Sequence, residues 1–345
     1  MKYLIQNKYI FFAFYIIIEI LLPPNYAFAQ NTKDNKRHEA PAPLYVDPMT
    51  AGSTDPVLIW NREEKSWWML YTQRRANVAD INDIAYVYGT KIGIASSKDH
   101  GHNWVYRGTL DLDVDRGTNT FWAPDVVYQD GVYHMFVVYI KGVHNDWGGK
   151  RHIMHYTSQN LWDWNYKDSL KLTSDHVIDP TLIKMPDGNW RMFYKDEERQ
   201  SHIMSADSKD LTHWKTSTNP VITSQQEGPI IFNYKNYYWL LTDEWHGMRI
   251  YRSKDAEHWD KQGLILGNKG TKSFDNAHAS HGDVVTLNHD STAYIFYFTQ
   301  PNGKRPAYVQ VGELRVQNGT LIGIRDQFNF WMTDGKNKNY YKPKK

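Results

Sequence analysis

The sequence predicts an all-β fold, a five-bladed β-propeller with four antiparallel strands in each blade. Three observations support this prediction. Aromatic-rich segments with strand-like alternation occur five times, a Ser-x-Asp or Ser-x-Asn turn followed by a tryptophan occurs four times, and a short apolar strand precedes every aromatic segment. Because these features return after roughly 45–60 residues, the chain is built from repeats, and such repeats are typical of propellers.

The aromatic segments are the clearest strands of the repeat. Each mixes aromatic residues with aliphatic or β-branched ones and is bounded by glycine, asparagine, aspartate or lysine, which are strand signals. No amphipathic helix of any length is predicted between them, so we expect each segment to form the second strand of a blade. The segments lie at residues 67–72, 132–140, 190–194, 237–242 and 293–299.

A turn motif follows each of the first four aromatic segments. A serine is followed two residues later by aspartate or asparagine, and a tryptophan comes four or five residues after that. We expect this turn to open an outer strand, with the tryptophan packed between neighbouring sheets. The serines are Ser97, Ser158, Ser208 and Ser253, and the matching tryptophans are Trp104, Trp164, Trp214 and Trp259.

The apolar strand that opens each repeat is preceded by a short polar motif. The motifs are Asp55-Pro56, Ala123-Pro124-Asp125, Asp179-Pro180, Glu227-Gly228-Pro229 and His281-Gly282-Asp283. Each repeat then has four strands, and the outer strands of the fifth fit at 308–316 and 320–324. A β-sandwich or jelly roll is the alternative, but neither fold requires a motif repeated at this period.

The composition limits the classes of function. The chain of 345 residues has no cysteine, which excludes disulfide frameworks, thiolate metal sites and cysteine nucleophiles. Its 40 lysines and arginines balance 38 aspartates and glutamates, so bulk charge does not indicate a nucleic-acid partner. Aromatic residues make up 15% of the chain, which allows a large core and aromatic binding surfaces.

The N-terminus has the pattern of a secretory signal peptide. Lys2 and Lys8 come before an apolar run at 9–22. A small-x-small cleavage site follows at 27–29. An uncleaved anchor is the alternative, but the run is short for the about 20 residues of a membrane span. We therefore expect a secreted or periplasmic protein without membrane association after cleavage. The predicted organisation is a signal peptide at 1–29, a flexible arm at 30–42, a catalytic propeller at 43–330 and a basic tail at 331–345.

Propeller geometry predicts where chemistry can occur. The starts of the inner strands meet at one mouth of the central channel, which would bring Asp55, Asp125, Asp179, Glu227 and His281 together. Carboxylates in one small volume repel one another, so their pKa values must separate, with some ionised and one retaining a proton. Glycoside hydrolysis requires such a pair of unlike carboxyl groups. The structural alternative is that each acid only caps its own strand or pairs with an arginine.

The segments that follow the aromatic strands return to the same mouth and supply its predicted rim. Indole faces suit the C–H faces of sugars, so we expect an oligosaccharide or polysaccharide to bind there. The many cations favour an anionic sugar, such as a uronic acid or a sulfated unit, unless they pair with neighbouring carboxylates. The candidate substrate-binding residues are Arg74, Arg75, Trp122, Asp125, His144, Lys195, Trp245 and His246.

The order of these motifs resembles glycoside hydrolase family 43 and its five-bladed relatives, over about residues 45–325. Asp-Pro, Trp-Ala-Pro, Asp-Pro and Glu-Gly-Pro occur in that order, each followed by an aromatic strand. The resemblance implies inverting hydrolysis of plant or algal oligosaccharides or polysaccharides. It also implies that Asp55 is the general base, that Glu227 is the general acid and that Asp179 tunes and orients that acid.

The resemblance implies no required cofactor but allows a calcium ion on the propeller axis. The matching metal ligand is His281, with His278 as a competitor and a plain capping histidine as the alternative. Long inserts at 76–90 and 141–150 are placed to wall off one end of the groove, which favours exo-action. Three other functions use similar scaffolds: a sialidase, a glycoside phosphorylase with phosphate held by the cations, and a non-catalytic sugar-binding propeller.

Overall fold

The computed structural model describes residues 38–335, except positions 80, 82 and 304. These residues belong to one compact unit. The predicted signal peptide lies outside the described residues, as do most of the predicted arm and tail. Within the part of the chain that is described, no helix is long and apolar enough to cross a membrane.

Twenty strands form five separate four-stranded sheets, each made of consecutive strands paired antiparallel. The five aromatic segments form the second strand of each sheet, as predicted. The blades are β1 (Ser53–Asn61), β2 (Ser66–Gln73), β3 (Ile92–Ser97) and β4 (Val105–Thr109); β5 (Thr120–Gln129), β6 (Val132–Ile140), β7 (His152–Ser158) and β8 (Asn165–Ser169); β9 (Val177–Lys184), β10 (Trp190–Asp196), β11 (His202–Ser208) and β12 (Trp214–Thr216); β13 (Glu227–Tyr234), β14 (Tyr237–Asp243), β15 (Met248–Ser253) and β16 (Asp260–Ile265); and β17 (Ser280–Leu287), β18 (Thr292–Thr299), β19 (Tyr308–Gln317) and β20 (Thr320–Ile324).

The sheets are arranged radially around a central axis. The inner strands β1, β5, β9, β13 and β17 contact one another in that order, and β17 contacts β1, so the ring is closed. Two short 3-10 turns at Ile84–Val87 and Glu197–Arg199 are the helical segments of the described chain. The prediction of a five-bladed, all-β propeller is confirmed.

The turn motifs pack between blades, as the sequence predicts. Ser97 Oγ donates to Asp99 Oδ1 at 2.8 Å, and the indole of Trp104 donates to a carbonyl in the same turn. Trp214 of the third blade lies edge-on to Phe136 of the second, with ring centroids 5.6 Å apart. Apolar clusters of this kind fill the spaces between neighbouring sheets and hold the blades together.

A β-bulge near the start of each inner strand decides which side chains reach the channel mouth. The register with the second strand shifts in all five blades. In the first four, the bulge holds a residue with positive φ just before a proline: Asp55, Ala123, Asp179 or Gly228. A non-glycine residue in this conformation is strained, and such strain is concentrated at functional sites. The bulge therefore brings Asp55 and Asp179 to equivalent places in two blades.

The two ends of the described chain close the seam between the first and fifth blades. Phe330 donates its backbone N–H to the carbonyl of His38, and His38 donates to Asn329 Oδ1 at 2.9 Å. In the described part of the predicted arm, His38 is thus hydrogen-bonded and Ala40 is buried. Trp331, in the described start of the predicted tail, stacks on His100.

Candidate active site

A cavity of about 480 Å³ opens at the mouth where the bulges of the inner strands meet. Cavities of this size accept small ligands such as one or a few sugar units. The exposed indoles of Trp147 and Trp245 stand at its edge. The cavity is lined by acids (Asp55, Asp179, Glu197, Glu227, Asp243), cations and histidines (Arg74, Arg151, Lys195, His278, His281), aromatic residues (Trp122, Trp147, Trp245, Phe298) and Ile178, Ser280 and Gln300.

Asp55 lies on one side of the cavity and is held as a carboxylate. Its Oδ1 is 3.5 Å from His281 Nδ1, its Oδ2 is 3.8 Å from Arg74, and Thr54 donates to Oδ2 at 3.0 Å. Burial would raise the pKa of Asp55, but the hydrogen bond from His281 and the charge of Arg74 lower it to about 2. A carboxylate that stays ionised at all ordinary pH values suits a general base.

His281 is the cationic partner of this base. Burial alone would lower the pKa of the imidazole, but the bond to Asp55 and the charges of Asp179 and Asp243 raise it to about 9. Its ring packs against Gly228, where an added Cβ would lie 2.6 Å from the imidazole and φ is +54°. The glycine of the Glu-Gly-Pro motif therefore makes room for this histidine and provides the positive φ.

Glu227 begins β13 and lies in the same cavity. Lys195 Nζ donates to its Oε2 at 3.0 Å, and the Trp245 indole donates to its Oε1 at 2.8 Å. Lys195 also approaches Glu197 Oε1 at 3.4 Å, and Arg151 binds the other oxygen of Glu197 at 2.8 Å. Burial would lower the pKa of Lys195, but the charges of Glu227, Asp179 and Glu197 raise it.

Asp179 is on β9, the inner strand next to β13, which carries Glu227. Its Oδ2 accepts the backbone N–H of Gly228 at 3.0 Å, which ties it to the residue after Glu227. Burial raises the pKa of Asp179 to about 6; the charge of His281 opposes this rise and the charge of Glu227 adds to it. Asp179 is thus placed to influence both the position and the proton of its neighbour.

Asp243, at the end of β14, lies in a segment that the sequence assigns to the rim, but it was not among the candidate site residues. It pairs with Glu227 across the sheet, and it accepts the backbone N–H groups of Trp245 at 2.6 Å and His281 at 3.1 Å. Burial and the charge of Glu227 raise the pKa of Asp243 to about 7, against these two N–H bonds and the charge of His281. Its position at the end of an aromatic strand is the feature of the sequence that indicates a place at the mouth of the channel.

The structure brings together eight of the predicted site residues. They are Asp55, Arg74, Trp122, Asp179, Lys195, Glu227, Trp245 and His281. Arg151 and Glu197 also line the cavity but were not among the predicted site residues. Arg151 is buried and follows the insert at 141–150, so its burial could not be deduced from the sequence.

The other four predicted residues do not line the cavity. Arg75 donates from Nε to the carbonyl of Tyr88 at 2.9 Å and from a terminal nitrogen to that of Ala85, so it braces the loop before β3. His144 lies 3.1 Å from the carbonyl of Lys141 and edge-on to Tyr88. His246 is exposed, with Nε2 3.7 Å from Glu244.

Asp125 is the fourth of these residues, and its place follows from the bulge. In the second blade, Ala123 occupies the position equivalent to Asp55, so Asp125 lies two residues further along β5. Its carboxylate accepts the N–H of Val126 at 2.8 Å and, from the next blade, the N–H of Leu182 at 2.7 Å. Asp125 therefore links two blades inside the channel.

The structure shows no ligand set for the metal ion that the resemblance allows at His281. Among the described residues, no three histidine, aspartate or glutamate side chains converge as a ligand set. Nδ1 of His281 is directed at Asp55, and Asp55 and the neighbouring carboxylates raise the pKa of the imidazole. A calcium ion on the axis therefore stays a prediction.

Comparison with known proteins agrees with the fold. The chain is 27% identical to the probable arabinan endo-1,5-alpha-L-arabinosidase A of Aspergillus fumigatus over 168 residues. The aligned segment covers 44% of this chain and 51% of that protein. The arabinan endo-1,5-alpha-L-arabinosidase A of Aspergillus niger is 25% identical over 215 residues, 57% of this chain and 61% of its own. The chain thus matches only about half to three fifths of the length of these relatives.

Solved structures share the architecture at lower identity. A thermostable family-43 glycoside hydrolase superposes with a TM-score of 0.64 at 18% identity, over 84% of this chain and 99% of its own. A xylan beta-1,4-xylosidase from Bacillus halodurans superposes with a TM-score of 0.60 at 17% identity, over 87% of this chain and 61% of its own. These likenesses show the fold alone.

The family itself is shown by a match to the family model Glyco_hydro_43_rel, which is described as a probable glycosyl hydrolase domain. The match covers residues 35–292, well over half of the chain and every blade up to the start of the fifth. The chain therefore belongs to this family of probable glycosyl hydrolase domains related to glycoside hydrolase family 43.

Proposed function

We propose that the protein is a glycosidase that cleaves glycosidic bonds by an inverting single displacement. One observation carries the proposal: acids from the first, third and fourth blades share one cavity, and the surroundings of Asp55 and Asp179 separate the ionisation of these two. Asp55 is held as a carboxylate by His281 and Arg74, whereas burial raises the pKa of Asp179 to about 6. Unlike carboxyl groups in one cleft are what acid–base hydrolysis of a glycoside needs.

In this mechanism Glu227 protonates the glycosidic oxygen while the bond from that oxygen to the anomeric carbon breaks. The electron pair of the broken bond stays on the leaving oxygen. A water molecule attacks the anomeric carbon from the opposite face, and Asp55 takes the proton that the water loses. Exchange with solvent then returns the proton from Asp55 to Glu227. A separation of roughly 6.5–9.5 Å between base and acid leaves room for that water.

The substrate we propose is a plant or algal oligosaccharide or polysaccharide. The relative from Aspergillus niger named above is an arabinan endo-1,5-alpha-L-arabinosidase, which supports this class. Exo-action is supported by the insert at 141–150, because its Trp147 stands at the edge of the cavity. The N-terminal signal pattern supports action outside the cytoplasm.

An anionic sugar is a narrower form of the same proposal, and it depends on Arg74. Lys195 and Arg151 bind Glu197, and Arg249 binds Glu244 at 2.7 Å, so these cations are occupied. Among the described residues, the Arg74 guanidinium makes no hydrogen bond: it lies 3.8 Å from Asp55, packs over Phe298, and its Nε is buried without a partner. A guanidinium with free donors suits a carboxylate or sulfate on the substrate.

The direct test is sugar release from a panel of plant and algal oligosaccharides by the wild type and by Glu227→Gln. We expect the variant to lose on the order of 100-fold or more in rate, because a glutamine cannot supply the proton. Glu257→Gln is the matched control, since Glu257 is exposed on the same blade and pairs with Arg191. A non-catalytic sugar-binding protein would release no sugar in any form, and a phosphorylase would require added phosphate.

The stereochemical proposal has its own test. NMR of the first product formed from a β- or α-linked substrate should show the opposite anomeric configuration. Retention of configuration would contradict the role of Asp55 as general base.

A further inference from the structure

Lys195 occupies an unusual place for a lysine, inside the cavity and almost completely buried. Its side chain is only 6% exposed, and its ammonium group is shared between Glu227 Oε2 at 3.0 Å and Glu197 Oε1 at 3.4 Å. A buried ammonium needs carboxylate partners to offset the loss of water. Here it has two, and one of them is the proposed general acid.

The contacts of Glu227 suit a carboxylate rather than a carboxylic acid. Both oxygens accept hydrogen bonds, Oε2 from Lys195 and Oε1 from the Trp245 indole. An indole N–H and an ammonium group can only donate. A proton on Oε2 would therefore point at the lysine, and Glu227 can act as an acid only when Lys195 moves away from that oxygen.

The second partner gives Lys195 a place to go. Glu197 Oε1 already lies 3.4 Å from Nζ, and its other oxygen is fixed by Arg151, whose side chain is 2% exposed. Glu197 is thus a rigid acceptor beside a flexible lysine. If Lys195 Nζ moved by about an ångström, its main hydrogen bond would pass from Glu227 Oε2 to Glu197 Oε1.

We propose that Lys195 is a positioning residue that moves between Glu227 and Glu197 during catalysis. In the empty site it holds Glu227 as a carboxylate, and the entering sugar displaces it onto Glu197, which frees Oε2 to carry the catalytic proton. The inference rests on the proposed glycosidase activity, and in it Lys195 acts only through Glu227 and takes no part in making or breaking the bonds of the sugar.

The other charged groups near Glu227 would respond to the same movement. Asp179 from the third blade and Asp243 from the paired strand both feel the charge of Glu227, and both have a raised pKa. His281 from the fifth blade adds a positive charge near these two aspartates. These carboxyls and this imidazolium remain in every variant below, so a difference between variants reports the lysine and Glu197.

The test is the pH profile of kcat/KM, whose alkaline limb reports loss of the proton from the acid in the free enzyme. Lys195→Met removes the charge that favours the carboxylate, so the limb should move to higher pH by about 1–3 units. Glu197→Gln removes the alternative acceptor and leaves Lys195 on Glu227, so the limb should move to lower pH and kcat should fall. The Lys195→Met/Glu197→Gln double variant should behave like Lys195→Met.

Two further variants make the outcome decisive. Lys195→Arg keeps the charge and should keep the alkaline limb within a few tenths of a unit. Lys184→Met, on the same blade but bonded to Gln129 at 2.7 Å, is the matched control and should leave the profile unchanged. Circular dichroism and thermal unfolding would show which variants are folded, and Glu197→Gln tests the inference by itself if Lys195→Met does not fold.

The inference is overturned if folded Lys195→Met and Glu197→Gln leave the alkaline limb in place, or move it in the same direction, while the wild type hydrolyses a glycan. A change in KM alone would also overturn it, because that is the signature of simple substrate binding. If the wild type releases sugar from no member of the panel, it is the proposed function that fails.

Discussion

At the scale of single residues, the cavity shows how identical carboxyl groups acquire different chemistry. Asp55 and Asp179 occupy equivalent bulges and are buried to similar extents. Asp55 faces two cations, and its pKa falls to about 2, whereas Asp179 has a backbone N–H as its bonded partner and a pKa of about 6. Partners rather than burial therefore decide which aspartate stays ionised.

A substitution of Asp55 tests its role as base. Asp55→Asn should lower kcat by on the order of 100-fold or more, because the attacking water then has no acceptor for its proton. Azide, which needs no base, should restore part of the rate and give a glycosyl azide of inverted configuration, detectable by NMR. Asp187→Asn, in an exposed turn of the third blade, is the control. Full activity of Asp55→Asn would contradict the assignment.

Asp243 gives a prediction about stability and pH. The pKa of its carboxyl is raised from 3.8 to about 7 by burial, so folding favours the protonated form. The stability that this provides is complete below pH 3.8 and is lost as pH rises towards 7. An Asp243→Asn variant lacks this titration. Its free energy of unfolding, measured in urea at several pH values, should therefore improve relative to the wild type between pH 4 and 8. A constant difference would contradict the raised pKa.

The sequence could predict the acids of the site but not all of their partners. Asp55, Asp179 and Glu227 stand in repeated motifs, so the repeat alone places them at one mouth. The bond from Lys195 to Glu227 joins two blades, and the bonds from Arg75 go to carbonyls of an irregular loop. Such contacts depend on how loops and blades meet, and no local pattern of residues encodes them.

At the scale of strands, the inner ring is held by side chains that reach the backbone of the next blade. Asp125 accepts the N–H of Leu182, Asp283 accepts the N–H of Leu58 at 2.8 Å, and Thr181 accepts the N–H of Ile231 at 3.3 Å. Each inner strand is the edge strand of its sheet, so the N–H groups on its free edge have no neighbouring strand to bond. The side chains of Asp125, Asp283 and Thr181 accept hydrogen bonds from these N–H groups, and buried backbone N–H groups require such partners.

The strands themselves could be predicted almost completely, but the bulge could not. Alternation and repeated motifs located the second strand of every blade and the outer strands of the fifth. The bulge of the second blade holds Ala123 at the position of positive φ, so Asp125, two residues later, lies past the bulge and does not line the cavity. The sequence shows an acid near the start of the strand, but which residue of the motif reaches the mouth depends on the backbone of the bulge.

Asp125 therefore tests a structural role against a binding role. Asp125→Ala leaves the N–H of Leu182 without a partner, which should cost about 1–3 kcal/mol of the free energy of unfolding. The measurement is urea unfolding, alongside kcat and KM of the folded variant, which should be unchanged. Asp111→Ala, exposed in the loop before β5, is the control. An increase in KM without loss of stability would instead support a wall of the substrate pocket.

At the scale of the whole molecule, the ring has to be closed between its first and last blades. The cluster at this seam combines Leu58 and Met69 of the first blade with Val285 and Phe296 of the fifth. It also contains residues from both ends of the described chain: Ala40, Leu44, Tyr45, Phe328, Phe330 and Met332. The same seam brings His281 to Asp55, so closure of the propeller also completes the proposed base.

The terminal residues 328–335 should therefore be required for a stable propeller. Phe328, Phe330 and Met332 are buried, and Thr333 accepts the indole N–H of Trp67 at 2.8 Å. A chain that ends at residue 327 would lose these contacts, at a cost on the order of 5 kcal/mol from the three apolar side chains. The matched control ends at residue 335, so that the two chains differ only in this segment.

Thermal unfolding followed by circular dichroism would compare the two chains. We expect a large fall in Tm for the shorter chain, accompanied by loss of sugar-releasing activity, because the pairing of His281 with Asp55 depends on the seam between the first and fifth blades. Equal melting temperatures would show that residues 328–335 do not close the ring. In that case the direct contacts between β1 and β17 would be sufficient to hold the first and fifth blades together.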